Sequence, residues 1–476
     1  MTYSLLSNIS KRFVMVIVII MSAYVCGVTT PAFAMSPASS QFPRQGALTE
    51  QEMKWARTAW KYFENNVNPD TGLAGAQPNY APFTMWDLSA HFAAILAAKE
   101  LGMIDNHEFD KRIRTILSWM NRMDLFNGSL PNQFYSADNG AMVDWANNPG
   151  ELGWSALDLG RLLIWMKIIK ERFPKYAEML DKIVMRWDWS QLLDREGTMF
   201  GASYYQRNKN NLIHYAEGRL GYEEYAARGF ALWGAKTDAA SEIIPYSTIS
   251  VYGYNIPFDA RDPENMHAPN FVVTENYVLD GIENNWDLPG DPNTDVYRHS
   301  DPMQAEFAWR VYKAQEGRYL STGILTARTE DAVDQAPYFV YGTILGHGIP
   351  WATLSHEGGA MPELSCLNTK AAFGLWVLFK SDYTDKLIEA VSTLYDPEKG
   401  FYVGRYEETG KINSAITLNG NGVILEILLF KHAGKLLTYS GKKSFWDKYF
   451  EKNTIPEKAL PPWKYQPYLT IHKYDP

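Results

Sequence analysis

Cysteine is almost missing from this 476-residue chain: there are two, Cys26 and Cys366. Cys26 lies in an apolar leader, so once the leader is removed no intramolecular disulfide can form. No His/Cys spacing surrounds Cys366 and the nine histidines are scattered, which removes a zinc site or a thiol nucleophile from consideration. His91, inside DLSAHFAAILAA, reads as a packed histidine. The acidic run DLPGDPNTD lacks the glycine and downstream glutamate of a calcium loop. A basic excess is also absent, with 45 Lys and Arg against 54 Asp and Glu and a net charge of −9, so nucleic acid and anionic membrane surfaces are poor partners. There is no G-x-S-x-G elbow, P-loop, dinucleotide fingerprint or H-E-x-x-H, which excludes the hydrolases, nucleotide enzymes and zinc proteases built on them. Long apolar runs are limited to FVMVIVIIMSAYVCGV near the N-terminus, shorter than the roughly 20 residues of a membrane-spanning helix.

That run follows Lys11 and Arg12 and precedes the small-residue site Ala32–Phe33–Ala34, the layout of a secretory signal peptide. Residues 1–34 are therefore set aside. Their removal takes away two basic residues and no acid, moving the charge from −9 to −11. A periplasmic or secreted protein is expected, free of the membrane after cleavage. A Ser/Pro-rich linker covers 35–46, one compact domain 47–440, and an extended Pro-braced tail 441–476. Aromatics are plentiful, 16 Trp, 29 Tyr and 22 Phe, and many sit beside Gly, Asn and Asp, as in a groove whose ring faces stack on sugars.

Apolar residues recur at helical spacing in EQEMKWARTAWKYFENN, DLSAHFAAILAAKELG, ALDLGRLLIWMKIIKERF and NGVILEILLFKHAG. Convincing alternating strands are few. One plan repeats: a helix ends in a Pro/Gly turn, a short Gly- and aromatic-rich stretch follows, and a new helix opens with polar or acidic residues. Helical hairpins packed side by side would gather these equivalent loops at one end. The expectation is an all-α (α/α)6 toroid, a complete or incomplete barrel of helical hairpins, with short β-hairpins in the loops at one face.

Acids at those helix entries are the chemical candidates. Asp87 follows Trp86 and can cap its helix. In GELGWSALDLGRLL, Ser155, Asp158 and Arg161 fall near one helical face behind Trp154. An Asp in so apolar a helix needs a partner, which Arg161 can supply, while Glu151 sits in the turn before it as a possible base. In EGRLGYEEYAARGFALWG, Glu224 shares a face with Arg228 and reads as a surface i,i+4 pair, Glu223 braces the helix start, and Glu217 lies in the preceding loop with only Arg219 near it. Glu217 is the best proton-donor candidate. Asp87, Glu275 and Glu330 would bind sugar hydroxyls, and Tyr222, Tyr338 and Tyr341 would stack or hydrogen-bond. Paired carboxylates in an aromatic groove are what glycosidic cleavage requires, with no metal or organic cofactor.

The segments TMWDLSAHFAAILAAKELGMID, GELGWSALDLGRLL, EGRLGYEEYAARGFALWG, TENYVLDGIE and GFYVGRYEETGKIN, spread over roughly residues 47–435, resemble the DUF3131 family of bacterial secreted proteins. GWSALD and EGRLGYEEYAARGFALWG are also similar to glucoamylase-like proteins that include β-1,2-glucan-degrading enzymes on an (α/α)6 toroid. That resemblance implies a glucan cleft lined by Ser155 with Asp158 and by Glu217 with Tyr222. The leading expectation is a monomeric glycoside hydrolase-like protein acting on a bacterial glucan or exopolysaccharide, Glu217 the acid and Asp158 or Glu151 the base. The rival is a non-catalytic polysaccharide-binding or export accessory protein. A third reading is a polysaccharide lyase with Tyr222 or Tyr341 as base.

Overall fold

A computed structural model describes residues 43–204, 212–243, 245–261, 271–444 and 447–448. The expected signal peptide, most of the linker and most of the tail lie outside them. The described residues belong to the unit Ser39–Pro476. No described helix is long and apolar enough to cross a membrane.

Helices dominate: α1 Glu50–Asn66, α2 Met85–Glu100, α3 Asn106–Met120, α4 Ala156–Arg172, α5 Ala177–Met185, α6 Tyr222–Leu232, α7 Asp238–Ser241, α8 Glu275–Leu279, α9 Pro302–Thr322, α10 Thr369–Leu378, α11 Asp382–Val391 and α12 Leu418–Ala433. They fall into two kinds. α3 buries only Phe109, Ile113, Ile116, Leu117 and Met120, one stripe of a helix that otherwise faces solvent. α2, α4, α6, α10 and α12 bury nearly every residue from end to end, which marks helices covered on all sides. These inner helices pack in an order that closes on itself: α2 on α4, α4 on α6, α6 on α8, α8 on α10, α10 on α12, and α12 back on α2. α1, α3, α5 and α11 lie against them.

Small residues set the spacing of that inner layer. A Cβ on Gly229 of α6 would stand 1.9 Å from the Gly160 carbonyl oxygen of α4, and one on Gly160 would stand 2.5 Å from the Ala226 oxygen. At α12 on α2, a Cβ on Gly422 would meet the Ala90 oxygen at 2.7 Å. The two pairs cross backbone against backbone, which explains why the segment that opens with acids at Glu217 turns into AARGFALWG.

The strands are short and pair antiparallel in seven small sheets among the described residues. Two matter for the site. One joins Gly153–Trp154, Phe200–Tyr204 and Leu212–Ala216 and delivers the chain to Ser155 and to Glu217. The other places Phe339–Gly342 between Glu330–Ala332 and Thr353–Leu354.

Candidate active site

The starts of the inner helices come together. Thr84 and Asp87 cap α2 reciprocally, the Thr84 hydroxyl accepting from the Asp87 amide while the Asp87 carboxylate accepts from the Thr84 amide at 2.9 Å, a pairing that satisfies two orphan donors. Ser155 caps α4 through the Asp158 amide at 3.1 Å. Glu275, the first residue of α8, accepts from the Trp86 indole at 3.1 Å and the Asn419 amide at 2.8 Å, and pairs with the Lys370 ammonium at 2.6 Å. One carboxylate thus ties together the entries of α2, α8, α10 and α12.

Arg161, fully buried one turn into α4, lies beneath them. It donates to Asn419 at 3.1 Å and to Glu426 at 3.0 Å, approaches Glu283 at 3.5 Å, and places its guanidinium 4.7 Å from the centre of the Trp86 ring. Glu283 also accepts from the Trp165 indole at 2.8 Å and is hydrogen-bonded to Glu426. Burial, then the neighbouring Glu283 charge, pushes Glu426 well above the usual carboxylate range. Burial raises Glu283 as well, with the Arg161 charge opposing the rise.

Glu217 stands at the entry of α4. The Ser155 hydroxyl lies 2.7 Å from its Oε1, and the Ala156 amide donates to Oε2. The same hydroxyl lies 3.3 Å from Asp158 Oδ1, so one Ser155 oxygen links the two acids. Both acids are partly exposed. Burial raises Glu217 to about 8, with the Ser155 and Ala156 hydrogen bonds opposing the rise and the Asp158 charge adding to it. Burial, reinforced by the Asp87 charge, raises Asp158 to about 7; burial also raises Asp87. Near neutral pH this cluster therefore holds protons and charges side by side, which acid–base work needs. Glu217 Oε1 and Asp158 Oδ1 can stand no further apart than 2.7 and 3.3 Å laid end to end, short of the roughly 6.5–9.5 Å that leaves room for a water in an inverting pair.

Arg219 does not neutralise Glu217. It donates to both oxygens of Glu330 at 3.1 and 3.0 Å, its guanidinium 4.1 Å from the Tyr222 ring and 5.6 Å from that of Tyr341. The Tyr222 hydroxyl donates to Glu330 as well. Glu330 is the direct cross-strand partner of Tyr341, and burial, with the Glu330 charge adding to it, raises the Tyr341 hydroxyl to about 12. A small apolar cluster separate from the main core, with Tyr222, Phe271, Val273 and Leu354 buried and Trp86, Leu157 and Tyr341 partly exposed, forms the wall beside them.

Several expected roles change. The Asp158–Arg161 pair is not formed, because Arg161 is committed to Glu426, Glu283 and Asn419. Glu224 is no surface partner of Arg228: it is 3% exposed and accepts from the Gly221 amide at 2.6 Å, while Arg228 pairs with Asp280 at 2.9 Å and Asp301 at 2.8 Å. Glu223, 2% exposed, is held by Arg261 at 2.6 Å. Glu275 is 4% exposed, with its oxygens on Lys370, Trp86 and Asn419. Trp154 is buried with its indole on the Phe200 carbonyl at 2.9 Å. Glu151 is partly exposed in the irregular stretch before Gly153, outside the Glu217–Ser155–Asp158 group. Tyr338 stands 65% exposed at the rim. Lys370, Asn419, Glu283 and Glu426 were not singled out from sequence. Lys370 and Asn419 carry the same signature as Asp87, a polar residue in the first turn of an apolar helix, and Glu426 is the one acid in VILEILLF.

The fold is shared with solved carbohydrate-active structures. An endo-β-1,2-glucanase from Chitinophaga pinensis, solved with sophorotriose and glucose, superposes with a TM-score of 0.58 at 14% identity over 86% of this chain and 96% of that one. A glucoamylase-like protein from Bacteroides fragilis gives 0.59 at 14% over 88% and 98%. An endo-β-1,2-glucanase mutant from Talaromyces funiculosus, with β-1,2-glucan, gives 0.52 at 10% over 82% and 85%. No curated protein matches the chain. Residues 54–434 match the model of DUF3131, a family described as of unknown function, and the chain belongs to that family.

Proposed function

We infer that this is a periplasmic or secreted glycoside hydrolase-like enzyme acting on a bacterial glucan, with a β-1,2-glucan the first substrate to try because two of the similar structures are β-1,2-glucanases. The observation that carries it is the Glu217–Ser155–Asp158 link, at the place where five inner helices begin and next to the Trp86, Tyr222 and Tyr341 rings; we take these groups as the lining of a sugar-binding hollow. The cyclic packing of α2, α4, α6, α8, α10 and α12 supports an (α/α)6 toroid with the hollow at its mouth. Glu217 is the general acid. Asp158, linked to it through the one Ser155 oxygen, serves as the partner that shares and resupplies the Glu217 proton, while Glu330, held by Arg219 and Tyr222, fixes the neighbouring Tyr222 ring. Trp86 and Tyr341 present ring surface to the sugar.

Incubation of the mature protein with β-1,2-glucan and other neutral and acidic bacterial polysaccharides should release new reducing ends. Glu217→Gln should lower that turnover by at least ~100-fold, the usual worth of a general acid, while glycan binding persists. Undiminished turnover in Glu217→Gln would remove the acid from this position. Binding without product across the whole panel would support the accessory-protein reading, which is favoured by one feature: both Glu217 oxygens already accept hydrogen bonds at the start of α4.

A further inference from the structure

The acid site occupies one end of an aromatic strip that continues past it. In strand Phe339–Gly342, Tyr341 faces Glu330 and Phe339 faces Ala332 across the register. Residues two apart on a strand point to the same side, so Phe339 extends the Tyr341 face outward by one step of about 7 Å. The two rings meet edge to face at 5.4 Å. On the inner side Phe271 supports Tyr341 at 4.9 Å and reaches the His347 ring at 5.1 Å. Exposure grows along the strip, from partly exposed Tyr341 to Phe339 at 41%.

An exposed ring such as Phe339 is useful as a platform only if the backbone that carries it is held, and the turn that leads into it is closed. Tyr338 has φ +69°, a left-handed conformation rare for a bulky side chain. Its turn is closed by the Tyr338 amide on the Gln335 carbonyl at 2.8 Å and the Val333 amide on the Tyr338 carbonyl at 3.2 Å. The charge next to the strip is cancelled, since Glu330 is paired with Arg219. Two rings in edge-to-face contact on a closed turn, beside the charge-balanced Arg219–Glu330 pair, suit neutral sugar rings following one another along a chain.

We propose that Phe339 is a binding subsite for a further unit of the same neutral glycan whose reacting bond lies at Glu217, so that the protein selects chains over short oligosaccharides. This rests on the glycan-cleaving reading of the hollow.

The test measures binding of sophorotriose and of unfractionated β-1,2-glucan by calorimetry, in the Glu217→Gln background to stop turnover. Phe339→Ala should reduce the preference for the polymer over the trisaccharide by roughly threefold to tenfold, the worth of one aromatic contact, and Phe339→Trp should restore it. Equal weakening of both glycans, or no change in either, overturns the subsite and leaves the hollow's function standing. Failure of both glycans to bind the Glu217→Gln protein overturns the function together with the subsite. Concentration-dependent self-association without glycan, abolished by Phe339→Ala, assigns the strip to a second copy of the chain and also overturns it.

Discussion

Replacing Glu224 by Gln should make the protein more stable in alkali while leaving it unchanged in mild acid. Glu224 is 3% exposed, with Oε2 on the Gly221 amide at 2.6 Å and Oε1 without a hydrogen-bond partner. Burial, then the charge of Glu223, raises it from 4.5 to about 8. A carboxyl raised on folding gives up stability as pH climbs, because the unfolded chain releases its proton near 4.5 and the folded one only near 8. At ~1.36 kcal/mol per unit of separation, the charging of Glu224 removes on the order of 4 kcal/mol between pH 4 and pH 9. Gln keeps an oxygen for the Gly221 amide and has nothing to titrate. Urea unfolding followed by tryptophan fluorescence should therefore give wild type and Glu224→Gln the same stability at pH 5, within ~1 kcal/mol, and a variant ahead by a few kcal/mol at pH 9. Parallel stability curves across that range would show that Glu224 titrates as an ordinary exposed acid and would refute the reasoning.

Two further changes probe the buried polar floor and the acid link. Arg161→Met strands Glu283 and Glu426 in the interior and should cost ~3–5 kcal/mol in urea unfolding, most of it regained when Glu426→Leu is added; a loss below ~1 kcal/mol in the single variant would contradict the pairing. Ser155→Ala removes a donor that favours charged Glu217, so the Glu217 carboxyl should climb further and the alkaline limb of the pH–rate profile should move to higher pH, with ~1 kcal/mol of helix-cap stability lost besides. A fall in stability with an unmoved limb would mean that Ser155 only caps α4.

Much of the helical plan is visible in the sequence because inner helices announce themselves twice, by apolar residues on every face and by a polar residue in the first turn. Thr84 with Asp87 and Ser155 with Asp158 carry both marks, and both begin helices of the inner layer. Glu217 stood out because it had no local employment, and its partner is another helix's cap. The pairing rules failed where they assumed a solvent face. The i,i+4 spacing of Glu224 and Arg228 predicts a surface pair, yet α6 is covered on all sides and each side chain is claimed by a different element. Arg161 was matched to Asp158, three residues away, while its partner Glu426 lies 265 residues along the chain, a distance over which periodicity carries no information. The strip of Phe339 and Tyr341 was legible only as aromatic content, since its direction depends on the register with Glu330–Ala332.

The glycine crossings of α4 on α6 and α12 on α2 bear on how such a molecule can change over generations. Backbones already in contact can neither draw nearer nor be wedged apart by a larger side chain without loss of the core, so the spacing of the helices at these crossings is a fixed quantity. New substrates would have to be accommodated in the connecting loops, where Tyr338 and its neighbours sit. Libraries aimed at altered preference belong at 334–351, and substitutions at Gly160, Gly229 and Gly422 should be rare among survivors.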